Sequence, residues 1–307
     1  MKKTKITLIA LVIFALFSAT SSFTQDYQLV YNLKTGDSFT LVATSKMLTK
    51  MDMMGQSVEI PIEMEFSFAL KTLGFADGAY SLETVYKRMK MQSKNQFMAM
   101  AYDTDDSDDT RQFAEAGKAL RSIINVPFTV KVDKHGKLLE VQGLDKLQNA
   151  LKESIGESGN PMLLQLIEQQ FSEKQNTENL QTFLLEYPER SLQIGDTWEI
   201  ERESLAGGLN MKIKFVQTLT AVENGVAVIS ASSVIDSQKS TIKTPQGDVE
   251  ATLLGNAEGT IRASLECGMI QSSQSLMLMD VKAILGGMEM IQKITVNSEV
   301  ECQRSSI

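Results

Sequence analysis

The chain is poor in the side chains that carry most enzymatic chemistry. It has one histidine, His135, and two cysteines, Cys267 and Cys302, in 307 residues. A serine–histidine or cysteine–histidine pair would have to use that one imidazole, and a multi-histidine metal site is excluded. His135 lies in Asp133-Lys134-His135-Gly136-Lys137, which reads as a solvated turn between two strands. No glycine-rich phosphate loop, Cys-x-x-Cys pair or Gly-x-Ser-x-Gly elbow occurs. The reading is therefore a non-catalytic protein without a cofactor. Positive charge is scarce as well, with 30 basic against 38 acidic residues and a formal charge of −8. Nucleic acid and anionic membrane surfaces both need a basic face, so neither is an expected partner. Beyond the N-terminus no apolar run approaches about 18 residues, so the chain is not expected to span a membrane.

The N-terminus is where apolar residues do run together. Lys2, Lys3 and Lys5 precede Ile6 to Phe17, interrupted only by Thr7, and mostly small and hydroxylated residues follow from Ser18 to Thr24. This is the build of a secretory signal peptide, with cleavage expected before Gln25. Residues 1–24 hold three lysines and no acid, so removing them takes the formal charge from −8 to −11. No cysteine lies near the end of the apolar run, so the expectation is an exported protein, periplasmic or secreted and not lipid-anchored. In an oxidising space Cys267 and Cys302 read as a disulfide, worth about 3 kcal/mol for a loop of roughly 35 residues. The other reading is two buried thiols acting as small hydrophobes. A turn at Gly286-Gly287 would put Cys302 opposite Gln271 or Ile270, a short register shift from Cys267.

With 43% hydrophobic and 22% charged residues the chain can build a sizeable core. Alternating β-rich segments run over 58–73, 79–90, 127–132, 137–141, 212–219, 226–234, 249–254, 260–265, 271–281 and 288–300. Leu33-Lys-Thr-Gly-Asp-Ser-Phe39 is echoed by Leu192-Gln-Ile-Gly-Asp-Thr-Trp198, each a turn feeding a strand that opens on an aromatic residue. Asp77-Gly78 and Asn224-Gly225 then mark two-residue hairpins at corresponding places. Helical patterns occupy 110–124, 144–155, 161–171 and 177–185. The expected fold is α+β, predominantly antiparallel β, with two related β-rich halves of curved sheet and a central helical section. The expected boundaries are a signal peptide at 1–24, a first half at 25–143, a helical connection at 144–187 and a second half at 188–307.

Methionine is abundant, with 17 in the chain. Several form Met-x-Met pairs at 51/53, 89/91, 98/100, 277/279 and 288/290, which strand geometry places on one face. Core filling explains such pairs, and so does a flexible lining for an apolar ligand; a Cu(I) site fits less well without histidine or cysteine helpers. The candidate ligand-binding residues are Met89, Met91, Met98, Met100, Met277 and Met279. The acidic run Asp103, Asp105, Asp106, Asp108 and Asp109 offers calcium ligands or a solvated loop before a helix, and lacks the EF-hand spacing.

Four segments, Lys34-Thr-Gly-Asp-Ser-Phe39, Tyr102-Asp-Thr-Asp-Asp106, Pro127 to Gly136 running into Val141-Gln-Gly-Leu-Asp145, and Ile194-Gly-Asp-Thr-Trp198, carry a resemblance across the mature chain. It resembles a family of uncharacterised exported proteins common in Bacteroidota, a domain of unknown function. That resemblance implies no activity, substrate or site residue. The leading functional reading is a non-catalytic exported protein that binds an apolar small molecule or lipid in a concave sheet. The alternative is a structural or interaction protein of the cell envelope without a ligand.

Overall fold

The computed structural model describes residues 25–53, 56–94, 99–106, 114–156, 173–206, 209–244, 247–285 and 288–305. The strands are β1 (Ser38–Met53), β2 (Gln56–Ala76), β3 (Ala79–Lys94), β4 (Ala99–Asp103), β5 (Phe128–Asp133), β6 (Leu138–Gln142), β7 (Thr197–Ala206), β8 (Leu209–Glu223), β9 (Val226–Ser237), β10 (Ser240–Thr244), β11 (Gly247–Ser264), β12 (Ile270–Leu285) and β13 (Met288–Arg304). The helices are α1 (Ala114–Arg121), α2 (Leu144–Ile155) and α3 (Glu173–Phe183). The expected helix at 161–171 lies outside the described residues.

All the strands join one antiparallel 13-stranded sheet in the order β6-β5-β3-β2-β1-β13-β12-β11-β9-β8-β7, with β4 on β3 and β10 on β11. This corrects the expectation of two β halves around a central helical section. β1 pairs with β13 from Phe39↔Arg304 to Met51↔Gln292, so a continuous ladder crosses the place where the halves would separate. The helices form no section of their own, since their apolar residues join the sheet's main core. The echoed turns do share a hydrogen-bond pattern. Asp37 N donates to Lys34 O and Thr72 N to Asp37 O, as Asp196 N does to Gln193 O and Leu219 N to Asp196 O. The segments expected at 249–254 and 260–265 are one strand. Gly255 and Gly259 sit inside it because a Cβ at Gly255 would lie 2.8 Å from Met279 Cγ, and one at Gly259 would press on Gln274 O.

The sheet curls strongly. Laid flat, its eleven-strand path would put β6 and β7 about 48 Å apart. Yet α3, about 16 Å long, touches both edges. The Gln181 side chain accepts from Leu138 N at 2.8 Å and donates to Gly136 O at 3.1 Å. Its backbone oxygen accepts from Arg202 Nη1 on β7 at 3.3 Å. One end of the curl is plugged by residues 27–34 and 184–192, which bond each other and the sheet's turns. Tyr27 N donates to Leu192 O, Tyr31 N to Lys134 O, Asn32 N to Cys267 O and Tyr187 N to His135 O. Gly136 and Gly268 have positive φ and lie so close to this plug that a Cβ would collide with Leu185 O and Val30 O respectively. His135 is accordingly half-buried under the plug, with its Nδ1 buried and unbonded, rather than solvated as its turn suggests.

Two buried clusters form on the same face of the sheet. The larger joins the plug, the helices and the near ends of the strands through residues such as Leu41, Leu82, Ile123, Leu147, Leu192, Leu219 and Ile229. The smaller lies at the far ends and contains Leu209, Met211, Ile235, Ala251, Leu253 and Ala283. Each large side chain so buried stabilises the fold by about 1.5–3 kcal/mol.

Candidate functional site

Opposed residues in an antiparallel ladder project to the same side, so the register defines the inner face strand by strand. One row reads Met91, Met64, Ser45, Ser298, Ser275, Gly259, Ala231, Gln217 and Trp198, from β3 to β7. The next row away from the plug reads Ser93, Ile62, Met47, Val296, Met277, Ala257, Ser233, Phe215 and Ile200. At the β7 end these rows join the main cluster through Trp198 and Ile200, and on β12 Met277 packs against the smaller one; the rest lie between the two clusters. Met47, Met64, Met91, Met277, Met279, Ile60, Ile62, Ile294 and Val296 are only half-buried, and Ser275 is exposed. Gly255, Ala257 and Gly259 contribute almost no side-chain volume there, so this stretch of the inner face is less fully covered than the clusters.

Charge separates the two faces. From Leu41 to Met51 on β1 and Val58 to Leu70 on β2, every inward residue is uncharged, while Lys46, Lys50, Glu59, Glu63 and Glu65 point outward. The same holds from Met290 to Cys302 on β13 and along β8, β9, β11 and β12. Among the described residues of these strands and β7, the inward charges are Arg304 at the end of β13, held by Asp37 and Glu266, and Arg202 on β7. Arg202 is engaged by Glu186 at 2.7 Å and lies 5.2 Å from the centre of the Phe215 ring. A recess of about 440 Å³ is lined by Leu254, Asn256, Leu278, Asp280, Lys293 and Thr295 of the outward parity, together with Gly255, Met279 and Ile294 of the inward one. Asp280 and Lys293, opposed across β12 and β13, make it less suited to an apolar ligand than the uncharged rows.

The methionines of the Met-x-Met pairs do not share one environment. Met277 and Met279 stand side by side on β12, and Met91 lies on the same face opposite Met64. Met89 is sealed in the main core at 1% exposure. Met100 pairs with Ser93 through β4, and Met98 lies outside the described residues. Met47 and Met64, which belong to no such pair, complete the half-buried lining.

The acidic run begins in an ion-pair network rather than an open cage. Arg88 grips Asp103 through two bonds, Nε–Oδ1 at 3.1 Å and Nη2–Oδ2 at 2.8 Å, and also meets Glu65 and Asp105 at 3.2 Å. That guanidinium holds the Asp103 carboxyl below its ordinary range against the opposing effect of burial. Asp108 and Asp109 lie outside the described residues, and no group of acids, histidine or cysteine suited to a metal occurs among the described ones. Cys267 and Cys302 are both thiols here, in the same core. Burial, reinforced by Cys267, pushes the Cys302 thiol up to about 12.

No curated protein matches the chain. Among solved structures, lipovitellin, in a structure concerned with its lipid–protein interactions, superposes with a TM-score of 0.50 at 9% identity, over 90% of this chain and 26% of that one. The present chain thus spans about a quarter of that relative's length, and the likeness is one of fold. The translocator domain of the autotransporter NalP from Neisseria meningitidis gives 0.20 at 6% identity over 97% of each chain. An outer membrane channel from Pseudomonas putida F1 gives 0.22 at 7% over 89% of this chain and 97% of that one. Those two scores carry no argument. A family model matches residues 77–270, more than half of the sequence, and the chain therefore belongs to the family of unknown function DUF6263.

Proposed function

We propose that the protein binds an apolar or lipid-like small molecule in the hollow of its sheet. The observation that carries this reading is the inner face between the two clusters, which is uncharged, methionine-rich and only half-buried over several strands. Water against so much apolar surface is unfavourable, and a ligand covering it gains about 25 cal/mol per Å² of apolar area removed from water. Methionine suits a site that must adapt to its occupant. The fold shared with lipovitellin, a protein described through its lipid interactions, supports the same reading. We infer export on the leader-like composition of residues 1–24, with a mature chain that starts within about three residues of Gln25.

The test is titration of the chain from Gln25 onward with Nile red, a neutral dye that brightens in apolar surroundings. Saturable binding at one class of site, displaced by a long-chain hydrocarbon, is expected. Fluorescence no greater than that of a filled-core control protein would overturn the reading and favour a structural role.

A further inference from the structure

A strip of hydroxyls crosses the apolar hollow. Ser45 on β1, Ser298 on β13 and Ser275 on β12 are direct cross-strand neighbours, and the row ends at Gly259 on β11, where no side chain intrudes. One step toward the plug the face is Ala43, Val300, Ser273 and Ile261; one step away it is Met47, Val296, Met277 and Ala257. The strip is thus a polar line between two mainly apolar bands, with Ser273 adding one hydroxyl beside it on β12. Ser45 Oγ and Ser298 Oγ lie 3.3 Å apart and share one hydrogen bond. Two hydroxyls that share a bond keep one O–H and several lone pairs unspent. Ser275 is exposed on the same face. Ser93 on β3, level with Met47, is 2% exposed and its Oγ has no partner, an arrangement that protein interiors rarely leave standing.

The charge pattern narrows the chemistry further. A carboxylate or phosphate in this hollow would need a cation beside it. The inward cations, Arg202 on the edge strand and Arg304 at the end of β13, are already engaged, by Glu186 and by Asp37 and Glu266 respectively. We propose that the ligand is an uncharged amphiphile, of the class of long-chain alcohols and acylglycerols. Its hydroxyl or ester oxygens bond the Ser45–Ser298–Ser275 strip, and its chain lies along Met277, Met279, Ile294 and Ile62. This rests on the binding function proposed above and adds the nature of the polar group.

The experiment displaces Nile red from the chain starting at Gln25 with lauroyl monoglyceride, laurate at pH 8 and dodecane, which share one chain length. The monoglyceride is expected to displace the dye at a concentration at least tenfold below that of either competitor. In Ser45→Ala/Ser298→Ala/Ser275→Ala, with its fold checked by circular dichroism, the preference for the monoglyceride over dodecane should vanish. Equal displacement by monoglyceride and dodecane in the parent protein would overturn the polar-strip inference while leaving apolar binding intact. Stronger displacement by laurate would overturn it too, as would a preference that survives in the triple variant. If the dye itself fails to bind, the binding function falls, and this inference with it.

Discussion

Arg202 on one edge strand donates to the backbone oxygen of Gln181, whose own side chain is bonded to the other edge. This residue of α3 thereby links β6 and β7, the two ends of the strand path, between which no pairing occurs among the described residues; Glu178, which accepts from Ser204, adds a second hold on β7. Replacing Gln181 by Ala removes two of these bonds and exposes the Leu138 N–H. The expected cost is roughly 1–3 kcal/mol, or a fall in Tm of several degrees for a chain of this size. Faster amide exchange confined to residues 136–142 and 197–204 is the accompanying sign. Unchanged exchange at both edges would show that the curl is set by sheet twist alone.

The Arg88–Asp103 pair makes a prediction about acid. A carboxyl held below its ordinary value of 3.8 contributes stability that is complete above that value and is lost as pH falls through the folded one. Asp103→Asn should therefore be less stable than the parent at pH 7, by roughly 1–2 kcal/mol given that Arg88 is a third exposed. The two proteins should converge as pH falls toward 2. Thermal melts across that range check it, and a constant offset down to the lowest pH would remove Asp103 as the group responsible.

Much of the sheet was legible because strand alternation is local. The hairpins at Asp77-Gly78 and Asn224-Gly225, the helix at 144–155 and nearly every β segment follow from spacing and turn residues. The pairing of β1 with β13 was not, since residues about 250 positions apart share no turn to announce them. That one ladder turns two expected halves into a single sheet. The edge closure by Gln181 was equally silent, because a glutamine in a polar helix looks like any solvated residue. For the hollow, a usable signal was present. Ser45, Met47, Thr49 and Met51 alternate with Lys46 and Lys50, and Ile60, Ile62 and Met64 alternate with Glu59 and Glu63. Strict exclusion of charge from one parity marks the inner face better than Met-x-Met pairs, which selected the sealed Met89 and missed Met47 and Met64.

Gly255 and Gly259 should respond differently to alanine. At Gly255 the nearest obstacle is Met279 Cγ, part of a flexible side chain, although Leu278 O is 3.0 Å away. At Gly259 the obstacle is the backbone oxygen of Gln274, which cannot move without displacing the β11–β12 ladder. Gly255→Ala is expected to cost about 1 kcal/mol and Gly259→Ala roughly 2–3 kcal/mol, as overpacking of a rigid contact does. Chemical denaturation orders the two, and the reverse order would refute the argument.

In protein recovered from an oxidising compartment, Cys267 and Cys302 are expected to be joined. They share one core, and Cys302 follows β13 to a position beside the turn that holds Cys267. The high pKa of Cys302 makes it a slow partner in exchange once folded, so the bond would form during folding. Intact mass before reduction should be lower by two hydrogens, and reduction should lower Tm by several degrees as the unfolded chain regains loop entropy. Alkylation of both thiols in denatured, unreduced protein would dispose of the pairing.

The sharpest test of the hollow compares methionines in its wall with one in the core. Met89 is 1% exposed among Phe66, Tyr86 and their neighbours, so Met89→Asp buries an unpaired charge and should unfold the protein. Met277 and Met279 pack against the edge of the smaller cluster but stay half-buried, so an aspartate there can reach water. Met277→Asp/Met279→Asp should keep the sheet's circular dichroism and most of its Tm while losing Nile red binding, because two carboxylates then oppose an apolar ligand in a face that otherwise excludes charge. If the double variant unfolds as Met89→Asp does, the middle of the sheet is packed solid and the hollow does not exist. Should it fold and bind dye unchanged, the ligand lies elsewhere, and β12 is no part of its wall.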